Sequence, residues 1–173
     1  MTLVYPDGIS TIGNLALQLL PAVAAPQTTV TVAEWNAGTM MELSIRNLGV
    51  NGEQNVFEDI RLGTVDIMES LGRNRISIDP VQVVFNPQAP ADNAQYKVHT
   101  LLKTGGTVYL AQRLALAHTQ AAAATQTISY LYQVKVGVAN EVPVDPSDDG
   151  SIFMRQFKLA FQKRWIDVSI TSP

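Results

Sequence analysis

Residues 92–116, DNAQYKVHTLLKTGGTVYLAQRLAL, decide how this chain reads. They give a helix, a two-glycine stop and a strand. Asp92 is placed to cap the helix, and Gln95 follows three residues later at the capping-box spacing. Ala94, Val98, Leu101 and Leu102 recur at i, i+4, i+7 and i+8, the spacing of one buried helical face. The same spacing turns Lys97, His99 and Lys103 toward water or a neighbouring subunit. Gly105 and Gly106 can take the left-handed backbone that ends a helix. Beyond them Val108, Leu110, Leu114 and Leu116 alternate with Tyr109, Ala111, Arg113 and Ala115, so the apolar period switches from helical to extended.

Outward from this unit, strand and loop dominate. Residues 13–20 alternate Leu15, Leu17 and Leu19 with Ala16 and Gln18 and read as a strand; a helix is the rival, because LALQLL is also rich in helix formers. Residues 31–38, TVAEWNAG, read as one capped helical turn, with Thr31 and Glu34 at capping-box spacing and Gly38 as the stop. The rival there is a strand from Thr28, favoured by β-branched residues. Residues 40–46 read as a strand with Met41, Leu43 and Ile45 on one face. Residues 47–55, NLGVNGEQN, read as loop. The whole of 47–74 forms one long, poorly patterned loop, a feature that in compact domains is functional or interfacial.

Residues 75–85 form a strand in two phases, Ile76 and Ile78 and then Val81, Val83 and Phe85, with Pro80 at the change. Residues 117–126, AHTQAAAATQ, are a low-complexity loop. Residues 127–138 are the cleanest strand, with Ile128, Tyr130, Tyr132, Val134, Val136 and Val138 on one face. Residues 143–150, PVDPSDDG, are a turn. Residues 151–170 are a long strand or strand pair whose phase slips near 162–164, where a bulge or bend belongs. Residues 1–12, with Pro6 and Gly8 and no period, read as an N-terminal arm. At 173 residues the chain is read as a single domain, 1–173.

The totals exclude several classes. Charged residues are 16% of the chain, against roughly 25% in ordinary soluble domains, which fits a surface covered by other subunits. The net charge of −3 gives no footprint for sequence-specific DNA binding. The absence of cysteine excludes disulfide scaffolds, zinc ribbons and thiol catalysis. No apolar run approaches the roughly 18 residues of a spanning helix. Residues 15–25 are apolar, but no Lys or Arg precedes Arg46, so the basic start of a signal peptide is missing and a cytosolic product without a targeting segment is expected.

His99 and His118 are the only histidines, and neither falls into an acid–His–nucleophile pattern. No catalytic residue, cofactor or membrane contact is expected. The metal candidate is Asp145, Ser147 and Asp149, at positions 1, 3 and 5 of an EF-hand-like loop; Gln156 stands at position 12 where the pattern needs a bidentate Glu, so an acidic hairpin turn is the plainer reading. Arg73 with Arg75, and Lys163 with Arg164 and Trp165, are basic clusters that make no stripe interleaved with aromatics, and they read as solvated surface or subunit contact.

Three blocks, in order, carry a resemblance. LLPAVAAPQTTVTVAEWNAGT, 19–39, is similar to a proline-bearing loop followed by a TVAELNAGT-like turn, with Trp35 in place of Leu. FEDIRLGTVDIMESLGRNRISIDPVQVVFNPQ, 57–88, is similar to an acidic and Arg-Leu step, a glycine and a long strand. NAQYKVHTLLKTGGTVYLAQRLAL, 93–116, is the helix–glycine–strand unit. Together they resemble the major tail, or tail tube, proteins of long-tailed, non-contractile (siphovirus-type) bacteriophages, those of actinobacterial hosts in particular. The loop 117–126 and the acidic turn 143–150 match nothing in that pattern.

The resemblance implies a mainly β fold with one main α-helix, a β-sandwich or half-barrel of the tail tube type. It implies a structural virion protein whose copies close into hexameric rings stacked into a tube, a conduit for DNA ejection. One sheet would join its neighbours to line the lumen, while the loop 47–74 and the arm 1–12 would touch the next ring. Partners would be further copies of the chain, other tail proteins (tape measure, terminator, distal tail) and phage DNA passing without sequence-specific binding. Assembly would occur in the host cytoplasm and the product would reside in the virion tail. A lumen that lets DNA slide should be polar and not strongly basic. The alternatives are another ring-forming virion or injection-system protein, such as a tail terminator or contractile-system tube, or a β-barrel binding a small ligand with the aromatic strand 151–170.

Overall fold

The computed structural model describes residues 10, 12–26, 28–46, 48–59, 68–91, 93–103, 106–144, 147 and 152–172. Among these, nine strands and two helices follow in the order β1 (Leu15–Leu20), β2 (Thr29–Thr31), α1 (Val32–Ala37), β3 (Thr39–Met40), β4 (Val50–Asp59), β5 (Met68–Ile78), β6 (Val81–Val84), α2 (Ala94–Lys103), β7 (Gly106–Leu114), β8 (Thr127–Glu141) and β9 (Met154–Thr171). Seven strands make one curled half-barrel sheet in the order β2-β9-β8-β7-β1-β3, with β6 also paired to β9. β4 and β5 make a separate two-stranded ribbon. The expected class, mainly β with one main helix, is the class observed.

The sheet is buried on both faces, over different parts of its length. On one face Leu17, Leu19, Leu110, Val134, Phe157 and Leu159 pack with Val98 and Leu102 of α2. On the other, Ala16, Leu20, Ala111, Leu131, Val168 and Ile170 pack with Trp35 of α1. β1 lies between the two clusters and is buried from Ala16 to Leu20. That is why LALQLL is apolar at nearly every position, and why alternation alone left a helix in contention.

α2 is capped one residue later than Asp92, which lies outside the described residues. Asn93 Oδ1 accepts the Gln95 N–H at 2.8 Å, and the Asn93 carbonyl accepts the Lys97 N–H at 3.0 Å. Val98 and Leu102 are buried as the spacing requires and Leu101 is half-buried, but His99 is buried as well, at 7% exposure, and does not face water. Gly106 opens β7 with φ +98°, the left-handed backbone expected after the helix; Gly105 is outside the described residues.

Both readings of the Thr28–Gly38 region hold in part. β2 pairs in parallel with the end of β9, and Thr31 then caps α1 through a reciprocal box with Glu34. Glu34 Oε2 accepts the Thr31 N–H at 2.7 Å, and Thr31 Oγ1 accepts the Glu34 N–H at 3.1 Å. Gly38 has ordinary extended backbone; a Cβ there would press on the buried Leu20 side chain and come within 3.0 Å of the Trp35 carbonyl.

The long antiparallel strands follow their sequence pattern closely. The β8–β9 register shifts between Gln133 and Val134, whose partners are Lys163 and Phe161, so Gln162 is the extra residue in the region where the phase slip was expected. A second shift between Val136 and Ala139 carries Val138 off the core face and into solvent. Ile128 joins the α1-side cluster, not the face shared by Tyr132, Val134 and Val136.

Two expected elements are different in the structure. Residues 40–46 are not a strand. β3 has two residues, a turn follows, and only Ile45 forms a bridge, with Val83. Leu43 is 69% exposed while Met41 is buried. Residues 47–55 are not a loop either. From Val50 the chain is strand β4, and the described part of 47–74 is a β-ribbon.

Candidate assembly surfaces

The two long edges of the sheet are finished differently. On one side, β3 pairs with β1 at Gln18 and Leu19, and Met41 N–H donates to the Leu17 carbonyl at 2.8 Å. Glu42 Oε2 accepts the N–H groups of Leu17 and Met41, each at 3.2 Å. A carboxylate turned onto an edge in this way blocks strand addition. On the other side, β9 pairs outward with β6 through Met154 to Phe157 and with β2 through Ser169 to Thr171. Between those pairings, residues 158–168 have no strand hydrogen-bonded to their outer edge among the described residues. β5 faces that edge across a groove lined by Arg73, Arg75, Ile76 and Phe161.

The ribbon of β4 and β5 leaves the body at its base. Val50, with Leu48 and Ile45 before it, packs on the α2-side cluster, to which Ile78 belongs. Further out nearly every described residue is exposed. Val56 and Leu71 stand directly opposite each other at 55% and 70% exposure, and Glu58 stands directly opposite Glu69. Directly opposed like charges destabilise a strand pair, and an isolated two-stranded ribbon is marginal in water. An apolar pair and an acidic pair held away from the body, on such a ribbon, are features of a surface that completes itself against something else.

His99 organises the third surface. Its Nε2 lies 3.0 Å from Arg155 Nη1, so the imidazole is neutral, protonated at Nδ1 and accepting at Nε2. The Arg155 guanidinium lies 3.8 Å from the Phe85 ring centroid and 4.0 Å from Glu141. Phe85 and Phe157 flank the His99 ring at 4.5 and 5.9 Å. Desolvation first, then Arg155 and Lys103, hold its pKa below the ordinary value. Over this cluster Val84, Pro87, Ile152 and Phe153 line an apolar hollow of about 660 Å³. Because the folded pKa is lowered, the unfolded chain binds the proton more readily. Stability is therefore full above about pH 6.5 and declines as pH falls below it. Thermal unfolding between pH 8 and 5 should show this decline, and His99→Gln should remove most of it; an unchanged pH profile in the variant would place the titration elsewhere.

The remaining sequence candidates fall as follows. Asp145 and Asp149 lie outside the described residues, so the metal candidate has only Ser147 within them, and no group of three or more metal-binding side chains occurs among the described residues. His118 is a loop anchor: its backbone N–H donates to the Gly13 carbonyl at 2.9 Å and its Nδ1 lies 3.2 Å from the same oxygen. That contact ties the base of the arm to the loop 117–126. Residues 1–9 and 11 lie outside the described residues. Phe157 and Leu159 of the aromatic strand fill the core under α2.

Sequence reasoning missed the importance of Arg113. It is fully buried, at 0% exposure. Nη1 donates to Gln126 Oε1 at 2.7 Å, and Nη2 donates to the carbonyls of Gln120 and Ala117 at 2.7 and 3.2 Å. Its guanidinium lies 5.2 Å from the Trp35 ring centroid. Burial draws its pKa down, and Glu42 draws it back up. The low-complexity loop 117–126 is thus folded around one cation.

These surfaces supply edges, a projecting ribbon and a docking hollow. Neither histidine has a carboxylate or nucleophile beside it among the described residues. A family model for phage tail tube proteins matches residues 3–172. No curated protein matches the chain. Among solved structures it is similar to a chain in the cryo-EM structure of the anti-feeding prophage baseplate, 6-fold symmetrised, at 8% identity and a TM-score of 0.45, over 95% of this chain and 98% of that one. With the family match running through nearly the whole sequence, the chain belongs to the phage tail tube protein family.

Proposed function

We propose that copies of this tail tube protein close side by side into hexameric rings, and that the rings stack into the tube of a long-tailed, non-contractile phage through which DNA is ejected. The observation that carries the lateral step is the contrast between edges. One edge is blocked by β3 and Glu42, and the other is open over residues 158–168 among the described residues. A subunit with unlike edges associates head to tail, and such contacts form rings when the rotation closes. The ribbon, with Val56 and Leu71 exposed, and the arm 1–12 supply the contacts to the next ring. Tape measure, terminator and distal tail proteins are the expected partners along and at the ends of the tube.

Electron microscopy of the purified chain, with light scattering across concentration, tests this. Rings and tubes are expected; a monomer that persists at high concentration would sink the reading. The double variant Val56→Thr/Leu71→Thr separates the two steps. Both positions are exposed and threonine keeps strand propensity, so stability should stay within about 0.5 kcal/mol. Rings should form and fail to stack. Tubes of wild-type length from this variant would remove the ribbon from the stacking contact.

A further inference from the structure

Among the described residues, one region of the sheet is left uncovered. On the face opposite α2, and beyond the reach of α1, the cross-strand rows are Thr107–Lys135–Ala160 and Tyr109–Gln133–Lys163. Gln133 Nε2 donates to the Tyr109 hydroxyl at 3.3 Å, which confirms the shared face. Lys158 lies two residues along β9 from Ala160, on the same side, and a Cβ at Gly137 would sit 3.6 Å from its Cβ. Lys135, Lys158 and Lys163 are all exposed, and none forms an ion pair or side-chain hydrogen bond among the described residues. Strand geometry puts the other two each on a diagonal from Lys135, roughly 7–8 Å away between backbones.

Among the described residues, anions are missing from this face. The only carboxylates on β7, β8 and β9 are Glu141 and Asp167. Glu141 turns to Arg155 on the α2 side, and Asp167 lies beyond Trp165 in a left-handed kink with φ +55°. The strands that form the open face therefore concentrate positive charge in a chain whose net charge is −3. The acidic excess lies elsewhere, in part on the exposed ribbon at Glu53, Glu58 and Glu69.

We propose that this open face, with Lys135, Lys158 and Lys163, binds the phosphate backbone of duplex DNA without reading its sequence. The chemistry favours phosphates over bases. The Tyr109 ring is taken up against Trp165, with centroids 6.4 Å apart, and no exposed aromatic platform remains between the lysines for a base to stack on. Gln156, two residues along β9 from Lys158 on the same side, adds an amide donor suited to phosphate oxygens. The source of the DNA rests on the tube reading, in which an uncovered sheet face lines the lumen; the binding surface itself is a property of the single subunit. In a lumen it acts as distributed, salt-sensitive friction on the passing duplex.

The test uses the full chain, dilute and unassembled, with a labelled duplex of arbitrary sequence followed by fluorescence anisotropy. Three neutralised phosphates give a slope near −2.7 for log affinity against log salt, or about fortyfold weaker binding at 200 than at 50 mM. The triple variant Lys135→Gln/Lys158→Gln/Lys163→Gln should bind at least about tenfold more weakly at 50 mM and lose most of that slope. Changing the DNA sequence should change nothing. The three side chains are exposed, so circular dichroism should show the wild-type fold; should it not, the single substitutions carry the test, each removing about one unit of slope. No binding by the wild type at 50 mM overturns the proposal. So does wild-type affinity and slope in the triple variant. If that variant keeps its DNA binding but no longer assembles, the face meets an acidic surface of a second copy, such as the ribbon, and the proposal is again wrong. Failure of the wild type to form rings would sink the tube reading and leave this measurement standing.

Discussion

Arg113→Met is expected to lower the unfolding free energy of the unassembled chain by about 3 kcal/mol. Methionine replaces the aliphatic stem but none of the donors. The Gln120 and Ala117 carbonyls and Gln126 Oε1 then lose the cation that holds them. Each buried acceptor left without a donor costs about 1–3 kcal/mol, and the three are coupled through one loop, so the sum is less than threefold a single loss. Arg113→Lys should be intermediate, because an ammonium cannot reach three acceptors with a planar fork. Urea unfolding gives the magnitude. Hydrogen exchange gives the location, with protection lost at the His118 and Gln126 amides, which bond Gly13 and Ala123. A methionine variant within 1 kcal/mol of wild type would mean that the loop holds itself.

Val98→Asp should abolish folding, and assembly with it. Val98 is fully buried in the cluster that joins α2 to the sheet. A carboxylate there is either charged and unsolvated or neutral and unpaired, at a cost of several kcal/mol in a domain whose whole stability is about 5–15 kcal/mol. Lys97→Glu, on the next residue but exposed, should leave the unfolding midpoint within about 0.5 kcal/mol of wild type. Soluble, ring-forming Val98→Asp would overturn the packing of the helix, whatever the fate of the lysine variant.

What the sequence disclosed follows from how each element is stabilised. α2 buries one side against the sheet, and β8 and β9 alternate within each stretch they bury, so their period survives in the residues. β4 does not. Beyond Val50 its described side chains are exposed on both faces, no apolar alternation is required of it, and NLGVNGEQN reads as turn chemistry. In 40–46 the alternation was present but misleading. Glu42 turns back to cap the β1 edge, and the turn through residues 42–44 sends Leu43 into water. His99 sits just outside the helix's apolar stripe and is buried by Phe85, Arg155 and Phe157, which come from other elements.

Parity placed Arg113 with Tyr109 and Ala111, on the face of its strand opposite Val108 and Leu110. The parity was right, but α1 and the loop 117–126 cover that face. The lysine face was illegible for a related reason. Lys135 and Lys163 stand far apart in sequence and become neighbours only through the β8–β9 register. The expectation of a lumen without strong basic charge meets, in that face, a surface that is polar but locally cationic.

The parallel pairing of β2 with the end of β9 also sets a clock on synthesis. Thr29 cannot find its partner until Ser169 has been made. At about 5–20 residues per second, that delay is on the order of ten seconds. During it β1, β2 and α1 are outside the ribosome with their apolar faces waiting for β7 and β9. The open stretch of β9 is translated near the end of the same interval. Chains at an earlier point of synthesis on neighbouring ribosomes therefore lack the open edge of β9. If subunits join edge to edge as proposed, a chain on the ribosome lacks one of its edges until β9 has been made, and neighbouring nascent chains are kept from seeding assembly on each other.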